Sequence, residues 1–278
     1  MTTSFLAINW NPDPEFISWG FLHIRYYGLL FVGAFIASYY VLLHVFNREK
    51  IPVLLLEKLT IAIAIATLIG ARLGHCFFYE PVYFLTHPLE IILPVKFDPF
   101  RFIGYQGLAS HGAAIGILIG IWYWCRKYKK NYLWLLDRIG IVVALSGMMI
   151  RLGNLMNSEI YGGKTDLPWG FVFQRSGESL PHHPTQLYEA LAYLIIFCLL
   201  FFLYKKKGPQ LHRGFLFGLF LVLLFSARFL IEFIKNPQEL FEINMLLNMG
   251  QLLSLPFIIA GAVLLWRSCR RKESFFIT

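Results

Sequence analysis

The stretch IVVALSGMMIRLGNLMNSEIYG, residues 141–162, carries the two features that decide the fold. It continues an apolar run, Ile139–Met149, of the kind that crosses a bilayer. It then places an arginine, two asparagines and a glutamate where such a helix should be ending.

The remainder of the chain places this run in a membrane. The 278 residues are 57% hydrophobic and 17% aromatic, with a mean hydropathy of +0.59; soluble domains average roughly 45–50% apolar residues. Seven apolar stretches centre on Tyr27–Phe46, Leu59–Phe78, His111–Cys125, Leu135–Asn154, Gln186–Tyr204, Gly214–Ile234 and Gln251–Trp266. Each is expected to be long enough for the roughly 20 residues that cross a hydrocarbon core, the third, which starts at a histidine, having the least defined length. Each is expected to be helical, because a lone segment in lipid must satisfy its own backbone hydrogen bonds. The expected fold is an all-α polytopic integral membrane protein with about seven transmembrane helices, forming one transmembrane domain over residues 1–278.

The net charge of +9 does not indicate a nucleic-acid partner, because it is distributed by topology. Fourteen basic residues follow the odd-numbered spans: Arg48 and Lys50; Arg126, Lys127, Lys129 and Lys130; Lys205, Lys206, Lys207 and Arg213; Arg267, Arg270, Arg271 and Lys272. Five lie on the other side: Lys96, Arg101, Lys164, Arg175 and Lys235. The positive-inside rule therefore predicts an N-terminus outside and a C-terminus in the cytoplasm. Trp122, Tyr123, Trp124 and Trp266 fit interfacial anchoring. No cleavable signal segment is expected before the first span. The cysteines Cys76, Cys125, Cys198 and Cys269 have no C-x-x-C spacing, so neither a disulfide framework nor a zinc site is expected.

With this topology the longer connections, about 79–110, 158–185 and 235–249, fall outside. So do the unusual polar residues: Arg72, His111, Arg151, Asn154, Asn157, Glu159, Arg228 and Glu232 lie in or just beyond the outer parts of spans two, three, four and six. Ionisable groups at that depth cost a few kcal/mol each by insertion scales and usually face a bundle interior or a wet cavity. Simpler roles exist for some. Arg25 and Arg72 are open to a snorkelling role, and Arg228 and Glu232 to mutual neutralisation as an i,i+4 pair. Arg151 has no such local partner, since Gly147, Met148, Asn154 and Leu155 occupy the neighbouring helical positions; its anion must come from elsewhere. His182 and His183 are adjacent and diverge, which suits a loop role better than metal binding. His111 opens a span next to Gly112, Ala113, Ala114 and Gly116, small residues that let helices approach closely.

RLGNLMNSEIYG resembles the signature of the bacterial prolipoprotein diacylglyceryl transferases, Gly-Arg-x-Gly-Asn-Phe-x-Asn-x-Glu-x-x-Gly. Arg151, Gly153, Asn154, Asn157, Glu159 and Gly162 match, while Ile150 and Leu155 replace the Gly and Phe. RYYGLL, GARLGHCFFYEPVYFLTHPLEI, GLASHGAAIG, HPTQLYEA and ARFLIEFIKNP resemble further family blocks in the same order, from about Arg25 to about Gly261.

The resemblance implies transfer of the sn-1,2-diacylglyceryl group of phosphatidylglycerol to the lipobox cysteine of a prolipoprotein signal peptide. The product is a thioether, and glycerol 1-phosphate is released. It also implies residence in the bacterial cytoplasmic membrane with the site toward the outer face. Arg151 and Arg228 offer guanidinium forks for the phosphate, and His111 is the natural candidate for the base that takes the thiol proton. Tyr27, Asn154, Asn157, Glu159, Gly162 and Glu232 complete the expected substrate-binding set. No cofactor is expected, because the phosphate ester already carries its leaving group, and the chain shows neither a P-loop nor a metal-spaced ligand cluster. Two other classes fit parts of the sequence. A transporter would bury charge similarly but should usually show polar residues running through the bilayer, and often an internal repeat. A lipid- or signal-peptide-binding protein without catalysis would leave the same residues.

Overall fold

In the computed structural model all seven apolar stretches form helices, joined by short helices and two-stranded β elements. The structure describes residues 7–20, 22–93, 95–97, 100–102, 109–236, 242 and 245–270. Parts of the expected 79–110 and 235–249 loops, the Gly107–Leu108 start of the histidine motif, and Arg271 and Lys272 lie outside these residues.

The helices that carry the apolar stretches are α1 (Tyr26–Arg48), α2 (Val53–Phe78), α5 (Ser110–Lys127), α6 (Tyr132–Met156), α7 (Thr185–Lys207), α8 (Phe215–Ile231) and α9 (Met249–Arg270). Six of them, with the α8 segment taken to Ile234, are long and apolar enough to cross a membrane. The exception is α5, an 18-residue helix that begins Ser-His-Gly and ends Arg-Lys. At 1.5 Å per residue it measures about 27 Å, and its polar ends consume part of that length. The protein is thus a largely helical, polytopic membrane protein.

The chain divides into two compact units, residues 46–135 and residues 1–45 with 136–278. In the first, α2 and α5 pack backbone to backbone. Gly70 and Gly74 meet Gly112 and Gly116, and a Cβ on Gly74 would lie 2.6 Å from the Gly112 Cα; this is the close approach that small residues permit. Ala109 N–H donates to the Ala71 carbonyl at 2.9 Å, tying the start of α5 to α2. Beyond α2 come α3 (Pro81–Thr86), α4 (Leu89–Ile92) and an antiparallel pair, β4 (Val95–Phe97) with β5 (Phe100–Phe102). Arg72 does not snorkel: it is buried, donates to the Glu90 and Ile91 carbonyls and lies 4.9 Å from the centre of the Phe84 ring.

In the second unit the long helices are joined by sparse polar contacts and by aromatic stacking. The hydroxyls of Ser38 on α1 and Ser146 on α6 lie 2.9 Å apart, and Phe225 on α8 stacks on Phe257 of α9 at 4.3 Å. Asp137, buried in α6, accepts the Gly214 and Phe217 N–H groups at 2.8 Å each. It thereby satisfies donors at the start of α8 that lack an intrahelical partner. Arg25 ends a hairpin of β2 (Glu15–Trp19) and β3 (Leu22–Arg25), opposite Glu15, rather than lying along a helix.

The polar end of α6 is enclosed by strands. β1 (Ile8–Trp10) pairs in parallel with β6 (Phe171–Phe173), in the register Ile8 with Phe171 and Trp10 with Phe173. Leu155, Phe171 and Phe173 form a buried apolar cluster, with Trp10, Tyr161 and Leu187 against it. The Trp10 indole N–H donates to the Leu155 carbonyl at 2.9 Å, anchoring the N-terminal strand to the helix end.

Candidate functional site

The site begins where α6 stops. Past Met156 the chain reverses through two residues of positive φ, Ser158 (55°) and Ile160 (61°). The Glu159 N–H returns to the Asn154 carbonyl at 3.1 Å. The Glu159 carboxylate folds back as well, accepting from Asn154 Nδ2 at 2.8 Å and Asn157 Nδ2 at 3.2 Å. An acid at a helix C-terminus opposes the helix dipole, and the two amide donors offset that cost. They also hold Glu159 at the exposed edge of the cluster.

Two glycines of the signature permit close contact. A Cβ on Gly153 would lie 2.8 Å from the Tyr27 ring, so Tyr27 of α1 rests directly on α6. A Cβ on Gly162 would lie 2.5 Å from the Ile234 carbonyl oxygen and 2.7 Å from Thr185 Cγ2. At that point the outer connection passes between the start of α7 and the end of the α8 segment. The Gly163 N–H donates to Ile234 O at 2.9 Å, and Gln186 Nε2 donates to Glu159 O at 2.7 Å.

The anion that Arg151 lacks on its own helix is Glu189 of α7. Arg151 Nε lies 3.0 Å from Glu189 Oε2, an ion pair off the line of a hydrogen bond, and Nη1 reaches Asn154 Oδ1 at 3.4 Å. The other oxygen of Glu189 accepts from Lys235 Nζ at 3.2 Å, and the same ammonium lies 3.5 Å from Glu232 Oε2. Glu232 therefore pairs with Lys235, not with Arg228. Its carboxylate sits against Gly250, where a Cβ would be 2.5 Å from the carboxyl carbon. Arg228 is half-buried and has no ion pair among the described residues. Both Arg151 and Arg228 lie within electrostatic reach of Tyr193 on α7.

These contacts gather Arg151, Asn154, Asn157, Glu159, Gly162 and Glu232 in one unit, with Tyr27 against Gly153 and Arg228 near Tyr193. Glu189, Lys235 and Tyr193 are the additions that the sequence reading lacked. A signal was present for Glu189, an ionisable residue inside an apolar stretch and so open to the same inference as Arg151. Along the chain Lys235 reads only as a loop charge. Glu189 is fully buried and Lys235 nearly so. Such ion pairs seldom add net stability, yet losing one partner is expensive. The arrangement therefore fixes the direction of the Arg151 fork more than it strengthens the fold.

The outer connection is braced by His182, which is buried and bonds through Nδ1 to Gly162 O at 2.8 Å and through Nε2 to Glu178 at 3.0 Å. Tyr161 donates its hydroxyl to the same carboxylate at 2.8 Å and stacks on Phe173 at 4.7 Å. The Tyr161 hydrogen bond, helped by nearby His182, holds the Glu178 carboxyl below the usual glutamate range against the opposing effect of burial. Burial, with His182 beside it, pushes the His183 imidazole down. His111 belongs to the other unit, in the first turn of α5, exposed and without a hydrogen bond or ion pair among the described residues. No group of three or more His, Cys, Asp or Glu side chains among the described residues is arranged to hold a metal ion.

Residues 14–267 match the family described as prolipoprotein diacylglyceryl transferase. The chain is 47% identical to the phosphatidylglycerol–prolipoprotein diacylglyceryl transferase of Bacteroides fragilis over 276 residues, covering 98% of this chain and 99% of that protein. It is 46% identical to the transferase of the same name from Tolumonas auensis, over 95% of this chain and 98% of that one. With the one from Chloroherpeton thalassium the identity is 42%, over 98% and 97%. On this nearly full-length similarity, the chain belongs to the prolipoprotein diacylglyceryl transferase family.

Proposed function

We propose that this protein transfers the sn-1,2-diacylglyceryl group of phosphatidylglycerol to the cysteine thiol of a prolipoprotein lipobox, the first step of lipoprotein maturation. In this reaction the thiolate sulfur forms a bond to the sn-3 carbon of the diacylglyceryl group. The carbon–oxygen bond to phosphate breaks, with its electron pair going to glycerol 1-phosphate. The protein would work in the bacterial cytoplasmic membrane with seven spans, the N-terminus outside and the site toward the outer face. The split of basic residues between alternate loops supports that orientation.

The observation that carries the reading is Arg228, which has no ion pair among the described residues, beside a balanced set of buried charges. Glu189 and Glu232 are committed to Arg151 and Lys235. Arg228 is left as a half-buried cation on an apolar helix segment, a costly position unless an anion visits it. A phosphodiester is a monoanion, and the phosphate monoester that leaves acquires a second charge. A fixed guanidinium therefore stabilises the transition state more than the bound lipid. Arg151, held through Nε by Glu189, would turn its Nη atoms to the same phosphate. Asn154, Asn157, Glu159 and Tyr27 would position the glycerol hydroxyls, with Gly162 holding the loop behind them.

The acceptor thiol has an ordinary pKa near 8.5, so only a few per cent is thiolate at neutral pH. His111, whose imidazole has no hydrogen bond or ion pair among the described residues, is proposed as the base that removes its proton. The test uses purified protein, phosphatidylglycerol and a lipobox peptide. Arg228→Lys keeps the charge but loses the fork, and is expected to cut kcat by about 10²-fold, within the range seen on removing one transition-state donor. Turnover equal to the parent would remove Arg228 from phosphate recognition.

A further inference from the structure

The segment that follows α2 exposes large apolar side chains on successive elements. Val82 and Leu85 on α3, Leu89 and Ile92 on α4, and Phe100 on β5 are between 62% and 76% exposed. In each short helix the two residues are three apart and share one side. On its other side the segment is held by a buried polar knot. The Glu90 carboxylate accepts from the Tyr83 hydroxyl and, at 2.8 Å, from the Phe97 N–H, while Arg72 of α2 donates to the carbonyls of Glu90 and Ile91. Glu90 is 3% exposed. Apolar side chains outward over a satisfied polar centre form the inverse of a water-facing loop, and soluble surfaces rarely show such patches unless something covers them.

The geometry points to an interfacial plate: α3, α4 and the β4–β5 pair dock on the phospholipid surface of the membrane face at which α2 ends, with these apolar side chains in the acyl boundary. Continuity identifies the occupant. On α2 the exposed residues Ile65, Ile69, Leu73 and Phe77, at successive four-residue steps, form a side that a spanning helix turns to lipid, and the exposed Phe78 and Tyr79 carry it to the helix end, with Glu80 as the one exposed charge before Val82 and Leu85. Lys96 and Arg101 face each other across β4 and β5, and both are exposed; the Lys96 ammonium lies 5.7 Å from the centre of the Tyr83 ring and within electrostatic reach of Glu90, which leaves Arg101 as the cation turned to the surface. Like charges directly opposite on neighbouring strands repel, and lipid phosphates at the headgroup level relieve that repulsion. The plate has a consequence for the proposed reaction, conditional on the role given to His111. Arg72 fixes the plate to α2, and the neighbouring Ala71 holds Ala109 at the start of α5. The depth of the plate therefore sets the depth of His111 below the phosphates.

The test places nitroxide labels on Leu85→Cys, Ile92→Cys and Phe100→Cys, one at a time, with exposed Cys198 and Cys269 replaced by serine. The full chain is reconstituted in vesicles of phosphatidylcholine and phosphatidylglycerol. Ile65→Cys on the lipid side of α2 and Lys127→Cys at the end of α5 provide the deep and aqueous references. Accessibility to lipid-soluble oxygen and to an aqueous nickel chelate reports depth. The three labels are expected at the headgroup–acyl boundary, about 5–10 Å deep, open to oxygen and shielded from nickel. Labels as open to nickel as that at Lys127 would overturn the proposal. So would labels shielded from both probes, which would mean that another protein surface covers the face. Depth is measured independently of turnover, so either result leaves the proposed reaction to its own assay.

Discussion

Glu189→Gln is the substitution that bears most directly on the charge network. Glu189 is fully buried, with Arg151 Nε at 3.0 Å and Lys235 Nζ at 3.2 Å, so one carboxylate serves two cations. Glutamine preserves the shape and one carbonyl acceptor while removing the charge. Breaking a buried ion pair by neutralising one partner costs about 3–5 kcal/mol, and the surviving amide contact to Lys235 places the expected loss near 3. At roughly 2–4 °C per kcal/mol for chains of this size, the apparent unfolding midpoint in a fixed detergent should fall by about 6–12 °C. Lys235→Met leaves the Glu189–Arg151 pair intact but strips Glu232 of its partner at 3.5 Å, so it should also destabilise. In the double variant the two losses overlap, and the sum should overestimate the measured cost by about 1–3 kcal/mol. The assay is a thermal unfolding cycle on the four proteins purified in parallel. Strict additivity, or a Glu189→Gln midpoint indistinguishable from the parent, would falsify the shared-carboxylate arrangement.

Three further outcomes can be checked. His111→Gln should lower turnover by about 10²–10⁴-fold while keeping phosphatidylglycerol binding, and should regain part of the loss between about pH 7 and 9 as the acceptor thiol ionises unaided; near-parental turnover at pH 7 would remove His111 from the mechanism. Glu178 has its folded-state pKa depressed, so its contribution is present above the unfolded value, near 4.3, and is lost as pH falls through the lower folded value. Amide exchange in the 158–185 connection should accordingly accelerate below about pH 4 in the parent, and Glu178→Gln should abolish that acid-induced change; an unchanged acid profile in the variant would refute the link. A cysteine placed at Lys164 should react with an impermeant reagent from outside, and one at Lys206 only after permeabilisation. The opposite pattern would invert the topology.

Much of the architecture was legible along the chain because lipid imposes a local rule. A segment such as Leu135–Asn154 must form its own hydrogen bonds, so length and apolar content suffice to make it a helix. The close packing of α2 on α5 was readable at one end, in the small residues after His111. The signature polar residues were legible too, since ionisable groups in an apolar stretch are costly enough to imply a role. The strands were not. β1 pairs with β6 across more than 160 residues, and three-residue strands carry no periodicity long enough to read.

The sequence by itself determined which segments are helical, where polarity is concentrated, and that Arg151 must find its anion away from its own helix. Only the tertiary structure decided that the anion is Glu189, that Glu232 goes to Lys235 rather than to Arg228, and that Arg228 is consequently left without an ion pair among the described residues. The physical reason is reach. Helical spacing limits local partners to positions three and four away, whereas packing brings α6, α7 and the end of the α8 segment together and lets charges 38 and 46 positions apart compete for one carboxylate. Which pairs form depends on distance and burial in the folded state, and neither quantity is encoded in the spacing of residues along the chain.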